Sequence, residues 1–193
     1  MATFKVQGGI KLKGELHPQG AKNEALQVLC AVLLTPGEVI MENVPNIRDV
    51  NILIDLLRDL NVKVNQIDEE TYSFKADEVD VDYLSSEDYK IKSSRIRGSI
   101  MIVGPLLARY GKGYIPRPGG DKIGRRRVDT HFIGFEKLGA KFIYDSKEEF
   151  YRVTADKLTG TYMLLDEASV TGTANIVMTA VMAEGKTTIY NAA

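Results

Sequence analysis

The chain has 193 residues, a formal net charge of −1 and 44% hydrophobic residues, which suits a globular protein with one sizeable core and argues against disorder. Acids and bases nearly balance, so no global field draws in nucleic acid or a membrane surface, and anion binding must come from local clusters. A single cysteine, Cys30, excludes an internal disulfide; no secretory pattern opens the chain and no apolar run approaches the ~20 residues a membrane helix needs, so a cytoplasmic location without nucleic-acid or membrane partners is expected.

In chain order, residues 21–34 are nearly all apolar and predict a buried helix, which Thr35-Pro36-Gly37 stops. Residues 38–44 predict a strand, and residues 48–60 a helix whose core face carries Val50, Ile54, Leu57 and Leu60. Val62 with Val64, then Tyr72 with Phe74, mark two more strands. The same order returns: a helix over 94–110, stopping glycines Gly111 and Gly113, a strand at Tyr114 and Ile115, a helix over 128–138, and strands over 141–144 and 150–153. Gly139 and Asn61 occupy matching helix-terminating places. A third helix over 169–183 ends at Gly185 and leads to a strand over 187–190. From Gly37 to Gly113 is 76 residues and from Gly113 to Gly185 is 72, a spacing that indicates an internal repeat. Because the third unit stops before its second helix, the expectation is a piece of a longer protein.

Like-placed helix starts carry groups suited to anions. Lys22 sits at the first, Arg95 and Arg97 at the second behind the capping pair Ser93-Ser94, and Ser169, Thr171, Gly172 and Thr173 at the third. Recurrence at one place in a repeating unit predicts that these ends face a common side. The segment 117–129 holds three glycines and five cations, with Asp121 as the one acid before Asp129. It reads either as a pliable loop closing on a phosphorylated substrate or as a solvated surface loop. Asp121 is the natural candidate for a general acid or base. Cys30, between Leu29 and Ala31, reads as core; neither His17 nor His131 has neighbours at metal-ligand spacing, and His131 reads as a pocket, capping or surface residue.

The motifs Gly20-Ala21-Lys22-Asn23, Asn43-Val44-Pro45 with Asp49-Val50, Arg97-Gly98-Ser99-Ile100, Gly104-Pro105-Leu106, and Pro118-Gly119-Gly120 with Ile123-Gly124, Arg126, Val128-Asp129 and His131 resemble the enolpyruvyl transferase family. The likeness is to its UDP-N-acetylglucosamine 1-carboxyvinyltransferase branch and covers essentially the whole chain. It implies an α/β (α+β) fold of repeated βαβαββ units forming one domain of an inside-out α/β barrel, with the active site in the cleft between two such domains. Residues 1–21 would then be a strand segment pairing with the missing second, C-terminal domain. Residues 22–193 would be the three-unit domain with its third unit truncated.

The resemblance further implies transfer of the enolpyruvyl group of phosphoenolpyruvate to the 3′-hydroxyl of UDP-N-acetylglucosamine with release of phosphate, without a cofactor, as the first committed step of peptidoglycan synthesis. Lys22 and Arg126 would hold phosphate and carboxylate charge, Asn23 would contact the sugar, and Arg97 would bind the nucleotide sugar. Arg126, Arg127, Val128, Asp129 and Thr130, with Ser169 and Val170, would cradle it. Asp121, with Lys22 the catalytic residue, falls where many members carry a cysteine that donates a proton and is alkylated by the epoxide antibiotic fosfomycin, so insensitivity to that drug is expected. Arg127 stands where proline is common and Thr171 where glycine is common. On this reading the chain alone is inactive. Two alternatives are the sister enzyme acting on shikimate 3-phosphate, whose members usually follow the helix-start lysine with serine, and a non-catalytic half-domain that binds a nucleotide sugar.

Overall fold

A computed structural model describes residues 3–115, 127–146 and 150–193. Residues 3–20 lie outside any helix or strand, and α1 (Lys22–Ala31) begins the packed body. Leu26, Leu29 and Cys30 form its buried stripe, while Val28 on the opposite side is exposed, so α1 is amphipathic rather than buried all round. The helix tightens into a 3-10 turn over Val32–Leu34 before β1 (Glu38–Met41). That strand is shorter than residues 38–44 suggested, because Asn43 adopts φ +57 and turns the chain out of the extended region.

In the first complete unit, α2 (Arg48–Asp59) connects β1 to β2 (Lys63–Gln66), and β3 (Tyr72–Lys75) inserts between them, antiparallel to both. The second unit repeats this layout. In it α5 (Asp129–Lys137) connects β4 (Lys112–Ile115) to β5 (Lys141–Asp145), and β6 (Phe150–Thr154) takes the central place. Buried Phe74 faces Val39 and Val64, as buried Val153 faces Gly113 and Phe142, so the two sheets share their register. The matched terminators hold too: Asn61 and Gly139, each just past the second helix of its unit, have φ +64 and +105.

Between these units the structure departs from the expected single helix over 94–110. The short α3 (Glu87–Ser93) ends just before that span, capped at its start by Ser86, whose Oγ accepts from the Tyr89 amide at 3.1 Å. A 3-10 segment, Arg97–Ile102, follows, and only then α4 (Val103–Tyr110). Pro105 explains the break. It lacks an N–H and its ring crowds the carbonyl of residue i−4, so it fits the first turn of an α-helix but not the interior of one running through from 94. Ser93 and Ser94 accordingly end α3 and cap no helix start; the residue before the 3-10 segment is Ile96, which gives no side-chain cap. The helix stop is Gly111, at φ +65, whereas Gly113 lies buried inside β4, so the 76- and 72-residue spacings matched a strand glycine to two loop glycines.

In the third unit, β7 (Tyr162–Leu164) and β8 (Thr188–Tyr190) pair in parallel across the connecting helix α6 (Val170–Ala180). One main core joins the helices and sheets through fully buried Leu29, Leu33, Leu53, Leu57, Phe74, Met101, Leu106 and Phe135, each contributing about 1.5–3 kcal/mol by its burial. A smaller cluster of Leu138, Leu158, Met163, Leu165 and Ile176 seats α6. The seat depends on close approach: a Cβ at Gly104 would lie 2.2 Å from Asn175 Oδ1, and one at Gly134 would lie 2.2 Å from Ile176 Cγ1. Arg109 ties the first unit to the second by donating to the carbonyls of Leu33 (3.2 Å) and Ala76 (2.6 Å). Among the described residues no helix is long and apolar enough to cross a membrane.

Candidate functional site

The helix starts do share one side of the molecule. A cleft of about 1080 Å³ is lined by Lys22 and Asn23 at the start of α1, Arg48 and Asp49 at the start of α2, Arg95 and Arg97 around the 3-10 segment, Arg127, and Glu167 with Ser169, Val170 and Thr171 at the start of α6. Five cations face two carboxylates, so this hollow is locally basic although the chain as a whole is nearly neutral. Leu26, Ile52 and Met101 supply an apolar floor.

Each charged group has a definable state. Lys22 occupies the first position of α1, where the partial positive charge of the helix end disfavours a cation unless an anion joins it. Asp49 joins it: Lys22 Nζ lies 3.1 Å from Asp49 Oδ2, with the two side chains 43% and 40% exposed. A pair so open to water is worth about 0–1 kcal/mol, so an incoming phosphate or carboxylate displaces it at small cost. The Arg97 guanidinium donates to the Arg127 carbonyl at 2.9 Å, anchoring the far end of the basic segment at the cleft. Arg127 itself bonds to the Asp129 carboxylate and lies 3.2 Å from Asp166 Oδ2, and the Asp129 hydrogen bond raises its pKa further.

Ser169 caps α6, its Oγ accepting from the Gly172 amide at 3.1 Å. Val128, Asp129 and Thr130 are not among the residues lining the cleft. Val128 packs on the core, and buried Thr130 donates to Asp166 (3.1 Å) and contacts Glu167 (3.4 Å), fastening α5 to the turn ahead of α6. Asp121 and Arg126 fall outside the described residues, together with most of the glycine-rich segment.

His131, read from the sequence as a pocket, capping or surface residue, is only 2% exposed and stands behind Thr171. Burial, with the Arg97 charge adding to it, lowers its pKa from 6.5 to about 4, so the ring is neutral at physiological pH. Arg48, Asp49 and Glu167 also line the cleft. Neither the helix starts singled out from the sequence nor the resemblance assigns Arg48 or Glu167 to the site. Arg48 nevertheless opens the helix that follows Pro45, a start signal of the same kind. Chemically, the arrangement is a set of guanidinium, ammonium, hydroxyl and amide donors converging on space for more than one anionic group.

A repeat-built α/β body whose helix starts converge on a basic hollow has donors chemically suited to anionic groups. Residues 6–193 match the family model of EPSP synthase (3-phosphoshikimate 1-carboxyvinyltransferase), and the chain belongs to that family. Over all 193 residues it is 60% identical to a UDP-N-acetylglucosamine 1-carboxyvinyltransferase of Bacteroides fragilis and 58% identical to that of Porphyromonas gingivalis. It spans 44% of the length of each of these relatives. Among solved structures it is similar to an enolpyruvyl transferase of Streptomyces tendae, with a TM-score of 0.75 at 19% identity over 94% of this chain and 42% of that one. That likeness extends to the fold.

Proposed function

We propose that the chain forms one side of the active cleft of a UDP-N-acetylglucosamine 1-carboxyvinyltransferase. In this reading the enolpyruvyl group of phosphoenolpyruvate passes to the sugar 3′-hydroxyl through a tetrahedral intermediate and phosphate leaves. The observation that carries it is the 60% identity, along the entire chain, to a relative of that name. The cleft chemistry supports it, since both reactants are anions and the cleft presents Lys22, Arg48, Arg95, Arg97 and Arg127 together.

In this scheme Lys22 exchanges Asp49 for the phosphate or carboxylate of phosphoenolpyruvate, with Arg126 as the second cationic contact. Arg97, Arg127 and the Ser169-Val170 start of α6 take the diphosphate, and Asn23 the sugar. Val128, Asp129 and Thr130 act on the nucleotide sugar by positioning Arg127 and the turn at Asp166 and Glu167. Asp121 is the proton donor to the enolpyruvyl methylene as the new C–O bond forms, and the proton is returned when phosphate leaves.

The opposite wall, a carboxylate base included, comes from a second domain of similar build, and residues 1–21 are the segment that meets it. No cofactor takes part. The reaction places the protein in the cytoplasm, in peptidoglycan synthesis and thereby in maintenance of cell shape and in division.

Calorimetric titration of the chain with UDP-N-acetylglucosamine and, separately, with shikimate 3-phosphate tests the reading. Tighter binding of the nucleotide sugar supports it; preference for shikimate 3-phosphate refutes it in favour of the sister reaction. Adding the complementary domain of the Bacteroides fragilis relative and following phosphate release separates an enzyme from a binding module: release above the rate of either part alone is expected.

A further inference from the structure

A row of hydrogen bonds runs from the core to the cleft, and its direction can be worked out atom by atom. Asn175 is fully buried in α6. Its Oδ1 lies 2.9 Å from the Gly104 amide, which can only donate, and its Nδ2 lies 2.9 Å from the Ile100 carbonyl, which can only accept. The amide orientation is therefore fixed by its partners. The second N–H of Nδ2 points at His131 Nδ1, 3.1 Å away, so that ring nitrogen must be the lone pair. In a neutral imidazole the proton then sits on Nε2, which lies 3.4 Å from Thr171 Oγ1. Thr171 accepts from the ring, so its own hydroxyl proton turns elsewhere. Among the described residues no protein acceptor takes it, and Thr171 lines the cleft.

We infer that Thr171 is a specificity-determining donor, oriented by the positioning residues Asn175 and His131, that gives its O–H to a phosphoryl oxygen bound at the start of α6. Donation runs one way throughout, from Gly104 to Asn175 to His131 to Thr171 to the ligand. A ligand that brings an acceptor to this point pairs the Thr171 proton, whereas one presenting only donors reaches the hydroxyl's second lone pair and leaves that proton unpaired. The site therefore selects for an anionic oxygen beside Ser169 and Val170, whose backbone positions already favour one. The inference deepens the nucleotide-sugar reading and rests on it for the identity of the ligand, but not for its phosphoryl chemistry.

The chain has two histidines, one exposed and one buried, so selective nitrogen-15 labelling of histidine gives two resolvable ring patterns. Long-range proton–nitrogen spectra at neutral pH are expected to show His131 protonated on Nε2 alone. Pyrophosphate is the binding probe. Thr171→Val, which keeps the β-branched shape, is expected to weaken it about tenfold, and Thr171→Ser to restore binding to within about twofold of the original, as for one hydrogen bond to a charged group. Asn175→Asp, which offers Nδ1 an acceptor, is expected to move the ring proton to Nδ1 and weaken pyrophosphate as well. Should that variant fail to fold, the spectrum of the unsubstituted chain and the Thr171 pair decide the matter.

A ring protonated on Nδ1, an unchanged pyrophosphate affinity in Thr171→Val, or no pyrophosphate binding to the unsubstituted chain overturns the inference. Thr171-dependent pyrophosphate binding with no added affinity for UDP-N-acetylglucosamine leaves it standing and removes the nucleotide-sugar reading instead.

Discussion

Replacing Gly134 by alanine sets two physical effects of opposite sign against each other. Gly134 lies within α5, and helix propensity alone predicts that alanine there stabilises the protein by about 0.5–1 kcal/mol. The packing predicts the reverse. The new Cβ would lie 2.2 Å from Ile176 Cγ1 and 2.3 Å from Cδ1, where contacting carbons stay well beyond 3 Å. Ile176 has no exposed surface and is β-branched in a helix, so it has essentially one rotamer and nowhere to turn. Relief requires α5 and α6 to separate, and such overpacking costs about 1–3 kcal/mol. Taking the middle of each range, about 2 against about 0.75 kcal/mol, the net expectation is a loss of about 1 kcal/mol.

Urea unfolding followed by circular dichroism measures it, provided the transitions are two-state. Ile176→Ala destabilises on its own by about 2–5 kcal/mol, but the double variant should be more stable than the sum of the two, because the alanine at 134 then meets only the Cβ at 176, 3.5 Å away. A Gly134→Ala protein as stable as the parent, or more so, would refute the argument that α6 is seated by glycine-sized contact.

Stability should fall between pH 6.5 and about 4, because unfolding frees His131 to take a proton that the folded state refuses. With the folded value depressed, the contribution is complete above the unfolded pKa and shrinks as pH drops, by up to about 3 kcal/mol at 1.36 kcal/mol per unit; His131→Gln should flatten the slope in urea melts across that range. Arg109→Met should lower stability by about 2 kcal/mol, since two inward carbonyls lose their shared donor, visible as a lower melting temperature that Arg109→Lys, with a single ammonium in place of the planar fork, does not fully recover. Lys22→Ala should change stability by no more than about 1 kcal/mol, as its pair with Asp49 is open to water, while cutting the affinity for phosphoenolpyruvate about tenfold in a calorimetric titration. In an assembly with the complementary domain, excess fosfomycin should leave phosphate release unchanged, because a carboxylate at Asp121 is a weaker nucleophile than a thiolate; covalent labelling at that residue would contradict this.

Much of the fold was legible because its signals are local. The stripe of Val50, Ile54 and Leu57 needed only helical periodicity, and Asn61 and Gly139 announced their left-handed turns by residue type. The break at 94–110 went unread because periodicity continues through it, while the decisive feature is one missing N–H at Pro105. Helix α3 carried a readable start, Ser86 followed by Glu87 and Asp88, but it falls between the repeated units, where the repeat pattern gave no reason to seek a helix. The cleft was legible to the extent that symmetry predicts it: Lys22, Arg97 and Ser169 meet because like-placed helix starts meet. What the sequence could not display are partners set by tertiary packing, such as Asp49 beside Lys22, 27 residues away, or Asn175 beside His131, 44 residues away. Neither pair has a spacing that any local rule records.

The two sheets with the same strand order have a consequence for how this cleft can vary over evolution. Each of these two units closes its own three-stranded layer, so its leading residues can change without disturbing the scaffold of its neighbour. An ammonium stands at one corner on an α-helix, guanidiniums at the next around a 3-10 segment and hydroxyls at the third at the start of α6. Repeated architecture thus lets one cleft present several chemically different anion grips, each open to substitution separately.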